Sequence, residues 1–333
     1  MIKTASRFKQ PLLFAMLGLA LLAPWKIAAA DPVTEFPNRP LRLVVPFLAG
    51  GAVDAGARAV ALELSQELGQ QVVVENRAGA GGNLGTGLVA KGPNDGYSLL
   101  VGAGATITIS PAVYRNLSFS APNDLEPIGP YGALPNLLIV SSASPVGNIQ
   151  ELIANLKRKG ASGNFASGGV GSTSHIQGEI LKRELGLGMI HIPFQSEPPA
   201  LISLAQNNVD MMFSALSTAI PQLQANKAKP IAVAAPARLA LLPNIPTFKE
   251  LGINGLEFGV WYGIFVPKST DPAIVKKLSE ALRKTVAKPE LKRRLAQVHV
   301  EPLERPLDEF KQFIRTEAAR MKSVVDAVGA YQN

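Results

Sequence analysis

The sequence predicts an α/β protein of two domains, each with a central mixed, mostly parallel sheet. Three observations predict it. Short runs of aliphatic and β-branched residues recur along the chain, amphipathic helical patterns fill the intervals, and the same alternation appears twice in succession. Buried parallel strands read as continuous apolar runs because helices cover both faces of their sheet.

The first set comprises LRLVVPF (residues 41–47), QVVVEN (71–76) and YSLLVGA (97–103), each starting 25 to 30 residues after the last. Between the first two, Val53, Ala57, Val60, Ala61, Leu64 and Leu68 share one helical face. This is a βαβ unit, whose crossover is right-handed. The second set runs NLLIVS (136–141), a helix over about 148–158, NFAS (164–167), a helix over about 174–185, MIHIPF (189–194), a helix over 198–206, VDMMFSA (209–215) and PIAVAAP (230–236). FGVWYGIFVP (258–267) is longer and more aromatic, and it reads as a strand crossing back to the first domain. Asp271 before Pro272 is an N-cap with proline in the first turn, opening a helix to about residue 287. Pro289 starts another helix, and Pro306 with Asp308 opens a last amphipathic one to about residue 328. Domain 1 is therefore expected to comprise residues 31–136 and 260–333. Domain 2, residues 137–259, is inserted between its strands and tethered by two segments, a topology that permits a hinge.

Of the 333 residues, 47% are hydrophobic and 17% charged, a balance that excludes intrinsic disorder and suffices for two cores. The absence of cysteine removes disulfide frameworks, zinc ribbons, iron–sulfur clusters and thiol nucleophiles. Lys3, Arg7 and Lys9 precede an apolar run over 12–23, and Ala28, Ala29 and Ala30 stand before Asp31. A basic head, a core far short of the roughly 20 residues a spanning helix needs, and an A-x-A site predict a signal peptide over residues 1–30, cleaved near Ala30/Asp31. With no cysteine at the cleavage point, no lipid anchor is expected. Loss of Lys3, Arg7, Lys9 and Lys26 lowers the formal charge from +8 to +4. The remaining cations interleave with acids in the C-terminal helices, and 6% aromatics offer few stacking platforms, so nucleic acid is not an expected partner.

Three glycine-rich turns follow strands directly: PFLAGGAVD (46–54), RAGAGGNLGTG (77–87) and SGGVGSTSH (167–175). Ligands of open α/β sheets bind outside the carboxyl ends of strands, where glycine-rich backbone leaves N–H groups free and helix starts carry partial positive charge. An anion fits there without lysine, held by amides and by the hydroxyls of Ser172, Thr173 and Ser174. The same glycines also suit tight turns and close helix packing. No GxxxxGK[ST] exists, and the GxGxxA match over 85–90 is not read as opening a helix from a strand. His175, His191 and His299 are scattered and lack metal-ligand spacing, so no metal and no cofactor is expected. Ser172 and His175 are the one pair a hydrolase might use, but the serine stands where a helix cap belongs and GxSxG is absent. Asp54 either caps its helix or receives a ligand ammonium group, which would select an amino acid over a plain dicarboxylate. Trp261, the only tryptophan after the cleavage point, either reports closure of the domains or packs the hinge.

VPFLAGGAVDAGAR (45–58), VVENRAGAGGNLGTG (73–87), PNDGYSLL (93–100), GGVGSTSHIQGE (168–179), HIPFQSEPPAL (191–201), NVDMMF (208–213) and LPNIPTFKELG (242–252) together resemble the Bug family. Its members are periplasmic solute-binding receptors of tripartite tricarboxylate transporter systems. The resemblance covers essentially the whole mature chain. It implies a two-domain periplasmic binding protein of the type II, Venus-flytrap form, not an enzyme, located in the periplasm and monomeric. Its ligand would be a small carboxylate in the interdomain cleft, held by backbone groups, hydroxyls and waters. Its protein partners would be transporter membrane subunits, or a sensor kinase if the receptor serves signalling; an exported hydrolase is the remaining alternative. Carried over by position, the first loop supplies Phe47, Leu48, Gly50, Gly51 and Asp54, and the second-domain helix start supplies Gly171, Ser172, Thr173 and His175. Asn83 and the strand end Gly104, Ala105 and Thr106 form further wall. The family often has a YKG-like segment where Phe194, Gln195 and Ser196 stand, and an acid where Ser214 stands. Both departures predict a less charged pocket, open to a di- or tricarboxylate, an amino acid or an aromatic monocarboxylate.

Overall fold

The apolar runs become strands that assemble into two separate sheets. The computed structural model describes residues 35–332, so the expected signal peptide lies outside the described residues. In chain order the strands are β1 (Leu41–Val45), β2 (Val72–Asn76), β3 (Ser98–Ala103), β4 (Leu125–Leu134), β5 (Asn136–Ser141), β6 (Asn164–Ser167), β7 (Ile190–Pro193), β8 (Met211–Ala215), β9 (Ala228–Ala234), β10 (Val260–Pro267) and β11 (Glu301–Pro302). The first sheet has the order β11-β4-β10-β3-β1-β2 and the second β7-β6-β8-β5-β9. β1 pairs parallel with β2 and β3, and β6 pairs parallel with β7 and β8. Besides the two-residue edge strand β11, antiparallel to β4, the reversed strands are β10, antiparallel to β3 and β4, and β5, antiparallel to β8 and β9. β10 and β5 are the strands the chain enters on changing sheets, so each lobe receives the crossing chain as a central antiparallel strand.

Both faces of the second sheet are covered. Leu138 and Val140 of β5 join Phe165, Ile176, Ile180 and Phe213 in one cluster, while their neighbours Leu137 and Ile139 join Leu201, Leu204 and Met212 in another. Alternation across a strand sends adjacent side chains to opposite faces, so a continuous apolar run is what such a strand requires. In the first sheet Val44, Leu100, Trp261 and Phe265 pack with Phe310.

The helix Ala52–Leu68 lies over the span expected, closed by Gly69 in the left-handed conformation at φ 67°. β4 was not expected. Its sequence, LEPIGPYGAL, carries two prolines and two glycines, which read as turn punctuation. The strand persists because its ladder with β10 shifts register between Tyr262 and Gly263 and between Ile264 and Phe265, beside Pro130 and Pro127. An irregular ladder tolerates a missing N–H. The glycine-rich turn read over 77–87 ends in a helix, Asn83–Ala90, and the GxGxxA match lies inside that helix and does not open it. Its first glycine serves packing: a Cβ at Gly85 would lie 2.5 Å from the Arg77 carbonyl oxygen.

The lobes are connected more fully than two tethers would allow. β4 ends at Leu134 and β5 starts at Asn136, and the return passes through Phe258 and Gly259. Gln177, fully buried, accepts from Asn136 Nδ2 at 2.7 Å and donates to the Phe258 carbonyl at 2.6 Å, tying both crossings to one side chain. The helix Leu307–Val328 adds a third connection, with Phe310 in the core of the first sheet and Met321 and Val325 in that of the second. Ile109 and Val113, from the helical segment after β3, also pack into the second lobe.

Candidate functional site

The expected site residues fall into two groups, each at the carboxyl ends of its own sheet's parallel strands. In the first lobe the turns after β1, β2 and β3 converge. A Cβ at Gly82 would lie 2.8 Å from Thr106 Cγ2 and 3.1 Å from the Phe47 ring. Gly82 adopts φ 95°, a conformation glycine supplies cheaply, and this close approach leaves no room for a side chain. Asn83, next in the chain, is 7% exposed, and neither its Oδ1 nor its Nδ2 has a partner. A buried amide left unsatisfied costs about 1–3 kcal/mol, so it calls for a ligand or an ordered water.

Asp54 belongs behind this surface. Its carboxylate accepts from Gly50 N at 3.0 Å, Arg58 Nε at 3.0 Å and Asn76 Nδ2 at 2.9 Å. Burial opposes its charge, but these donors outweigh burial and hold the carboxyl below its ordinary range. Asn76 also donates to the Phe47 carbonyl at 3.1 Å, so Asp54 and Asn76 together fix the loop that carries Leu48, Gly50 and Gly51, all exposed. An ammonium group would have to displace a cation already in place. Thr106 is likewise spent internally, fully buried with its hydroxyl 3.3 Å from the Ala103 carbonyl, and Gly104 abuts the Trp261 ring, leaving Ala105 the half-buried member of the three. Trp261 is 5% exposed and edge-packed on Phe310 and Phe313, which is the core role of the two expected for it.

In the second lobe, the loop after β6 enters the helix Thr173–Glu184. Ser172 is its N-cap: Oγ accepts from His175 N at 3.2 Å and donates to the Gly169 carbonyl at 2.7 Å. The N–H groups of Thr173 and Ser174 find no acceptor among the described residues, so the helix start presents free donors. His175 turns its Nδ1 back to accept from Gly171 N at 3.2 Å, so Ser172 and His175 form a capped helix start and not a nucleophile with its base. The structure corrects the view of the histidines as scattered. The His175 and His191 rings stack with centroids 4.0 Å apart, and His191 Nε2 lies 2.6 Å from Ser167 Oγ. Burial above all, with the charge of Lys182, lowers the pKa of His175 to about 4; burial, then His175 and Lys182, lower that of His191 to about 3. Among the described residues no cluster of histidine and acid could hold a metal ion.

Phe194 is half-buried and Gln195 exposed, and the Phe194 carbonyl lies beside Gly169. Ser214 is fully buried, its hydroxyl donating to Glu197 Oε2 at 3.1 Å. Glu197, absent from the expected set, places a carboxylate beside Ser214. Two further residues were missed: Tyr114, which donates to the Val170 carbonyl at 3.2 Å, and Tyr262 of β10, whose phenol is pushed upward by burial and by the charge of Glu197. Glu197 carries a faint sequence signal, an acid opening a helix directly before Pro198 and Pro199.

Two mixed α/β lobes, each ending in amide-rich turns beside the crossings, define a two-lobed solute-binding protein. The chain belongs to the tripartite tricarboxylate transporter family receptor family (TctC), whose profile matches residues 56–330. It is similar to the periplasmic binding protein BugD, with 33% identity, 90% of this chain and 100% of BugD covered, and a TM-score of 0.81. It is also similar to MatC from Rhodopseudomonas palustris with bound malate, at 31% identity, covering 87% of this chain and 100% of MatC with a TM-score of 0.79. Rpa4515 from R. palustris with adipate matches at 30% identity over 88% of this chain and 98% of its own, with a TM-score of 0.81.

Proposed function

We propose that this receptor captures a small carboxylate between its lobes in the periplasm and presents it to the membrane subunits of a tripartite tricarboxylate transporter. One observation carries the reading: free donors gather at the two groups of turns, the Thr173 and Ser174 N–H groups in one and the buried Asn83 amide in the other. The family, and the malate and adipate bound by its relatives, support it. Residues 31–136 with 260–333 form one lobe in this reading, and 137–259 the other, with Phe47, Gly50, Asn83, Gly171, Ser172 and Thr173 lining the cleft. Each helix start contributes up to about 2 kcal/mol when partly buried, and hydrogen bonds to a charged group about 1.5–3 kcal/mol each. Several together reach the roughly 8 kcal/mol of a micromolar site without an arginine clamp. Ser172 is spent as a cap, and in this reading the ligand is released unchanged. Closure of the lobes on the ligand shifts an open-to-closed equilibrium, and the closed form is the signal to the membrane subunits. The leader over residues 1–30 exports the chain and is cleaved near Ala30/Asp31 in this reading.

The test is thermal denaturation with a panel of C4 to C8 carboxylates, followed by analysis of the recovered ligand. A reversible rise in Tm with unaltered ligand is expected. Ser172→Ala combined with Gly50→Val, the latter placing a branched residue at φ 85°, should abolish the rise while lowering the unliganded Tm by only a few degrees. Survival of the shift in that double variant contradicts the assignment of the cleft, and conversion of the ligand contradicts the receptor reading.

A further inference from the structure

The Glu197 carboxylate is unevenly used. Oε2 accepts from Ser214 Oγ at 3.1 Å, Ala215 N at 3.3 Å and Thr218 Oγ1 at 2.7 Å. Oε1 has no donor among the described residues, and no lysine or arginine pairs with the group. Its stem is held in place: a Cβ at Gly168 would lie 3.1 Å from Glu197 Cγ and 3.2 Å from its backbone nitrogen. The glycine-rich loop that offers the Thr173 and Ser174 N–H groups therefore packs directly on the base of this side chain. From the other sheet comes Tyr262, 2% exposed, its ring stacked on that of Tyr131 with centroids 5.7 Å apart. Glu197 acts electrostatically on that phenol and helps keep it protonated. One open acceptor thus stands beside the loop that offers the Thr173 and Ser174 N–H groups.

We propose that Glu197 sets ligand choice: its open Oε1 receives a hydrogen-bond-donating substituent, a hydroxyl or an ammonium group, carried by the bound carboxylate. The inference rests on the carboxylate-receptor reading. A ligand hydroxyl or ammonium group donates to Oε1. A ligand lacking any donor leaves Oε1 unpaired in a water-poor site, the arrangement by which binding sites reject analogues most sharply. A second carboxylate turned towards Glu197 would meet like charge. The selecting role weighed for Asp54 thus passes to Glu197, since the Asp54 carboxylate is consumed by Arg58, Asn76 and Gly50.

Isothermal titration of the purified protein with malate, aspartate and succinate tests this on one four-carbon dicarboxylate backbone bearing a hydroxyl, an ammonium group or neither. Malate or aspartate is expected to bind at least about tenfold more tightly than succinate, and the better of the two identifies the donor. In Glu197→Gln the amide oxygen takes over the bonds from Ala215 and Thr218 and turns the NH2 group to the gap. The contrast should then shrink to within about threefold, with succinate gaining. Circular dichroism and the unliganded Tm confirm that the variant folds. Equal affinity of the wild type for all three, or discrimination unchanged in Glu197→Gln, overturns the role of Glu197 and leaves the receptor reading standing. Silence towards all three and towards their five- and six-carbon counterparts contradicts the receptor reading, and the inference falls with it.

Discussion

Replacing Gly259 by alanine is expected to lower the unfolding free energy by about 3 kcal/mol, and to blunt any ligand response with it. A Cβ at this position would sit 2.0 Å from the Leu134 carbonyl oxygen and 2.9 Å from Pro135 Cα. Both obstacles are backbone, so no rotamer change relieves them. They belong to the outgoing crossing between the lobes, and Gly259 to the return. The two strands of chain can separate only by breaking the Asn136–Gln177–Phe258 relay or the pairing of Val260 with Leu134. Gly51→Ala is the matched control, since its nearest neighbour to a new Cβ is the Leu48 carbonyl oxygen at 3.9 Å. Urea unfolding should place that variant within about 0.5 kcal/mol of wild type. Equal stability of the two variants would mean the crossings do not lie side by side.

The second large effect is a loss of stability in mild acid, set by the stacked pair His175 and His191. In the unfolded chain both take up a proton near the ordinary histidine value of 6.5, whereas in the fold His175 does so only near 4 and His191 near 3, burial being the main cause for each. The unfolded state therefore binds more protons across this window. Stability is complete above pH 6.5 and falls as the pH drops towards 4, by up to about 1.4 kcal/mol per pH unit for each ring. His191 is only half-buried, which reduces its share, so a combined loss of about 3 kcal/mol between pH 6.5 and 4.5 is expected. Urea unfolding measured across that range should show the slope, and His191→Gln should flatten it. An unchanged slope in the variant would remove the pair as the cause.

Much of the frame is legible in the sequence because it is written in periodicity. NLLIVS becomes β5 without a residue's change, and the amphipathic pattern over residues 52–68 becomes a helix with the same limits. What escapes is structure whose local signals point elsewhere. Pro127 and Pro130 argue against a strand until the β10 partner supplies a ladder with register shifts. Residues 216–224, between the runs read as strands over 209–215 and 230–236, fall outside every expected element, yet form a helix containing Pro221. The third connection between the lobes is invisible for a different reason. Phe310 and Met321 lie on one continuous helix, and nothing in its pattern says that its two halves face different cores.

The candidate site divides along the same line. The glycine-rich turns and the Ser172 cap follow from residue type and position, since few other residues tolerate those backbone angles or satisfy a helix start. Side chains whose meaning depends on a distant partner do not. Asp54 looks available until Asn76 is seen 2.9 Å away, and Glu197 looks like an ordinary helix-opening acid until Ser214 and Thr218 appear beneath it. Among the described residues no helix is long and apolar enough to cross a membrane.

A crystal structure of the protein grown with malate tests the central claim most directly. One ligand carboxylate is expected within about 3.2 Å of the Thr173 or Ser174 nitrogen, with the remainder of the same molecule reaching the Asn83 amide or the helix start at Ala52. Malate resting on one lobe alone, or held elsewhere on the surface while those N–H groups stay bare, would contradict it.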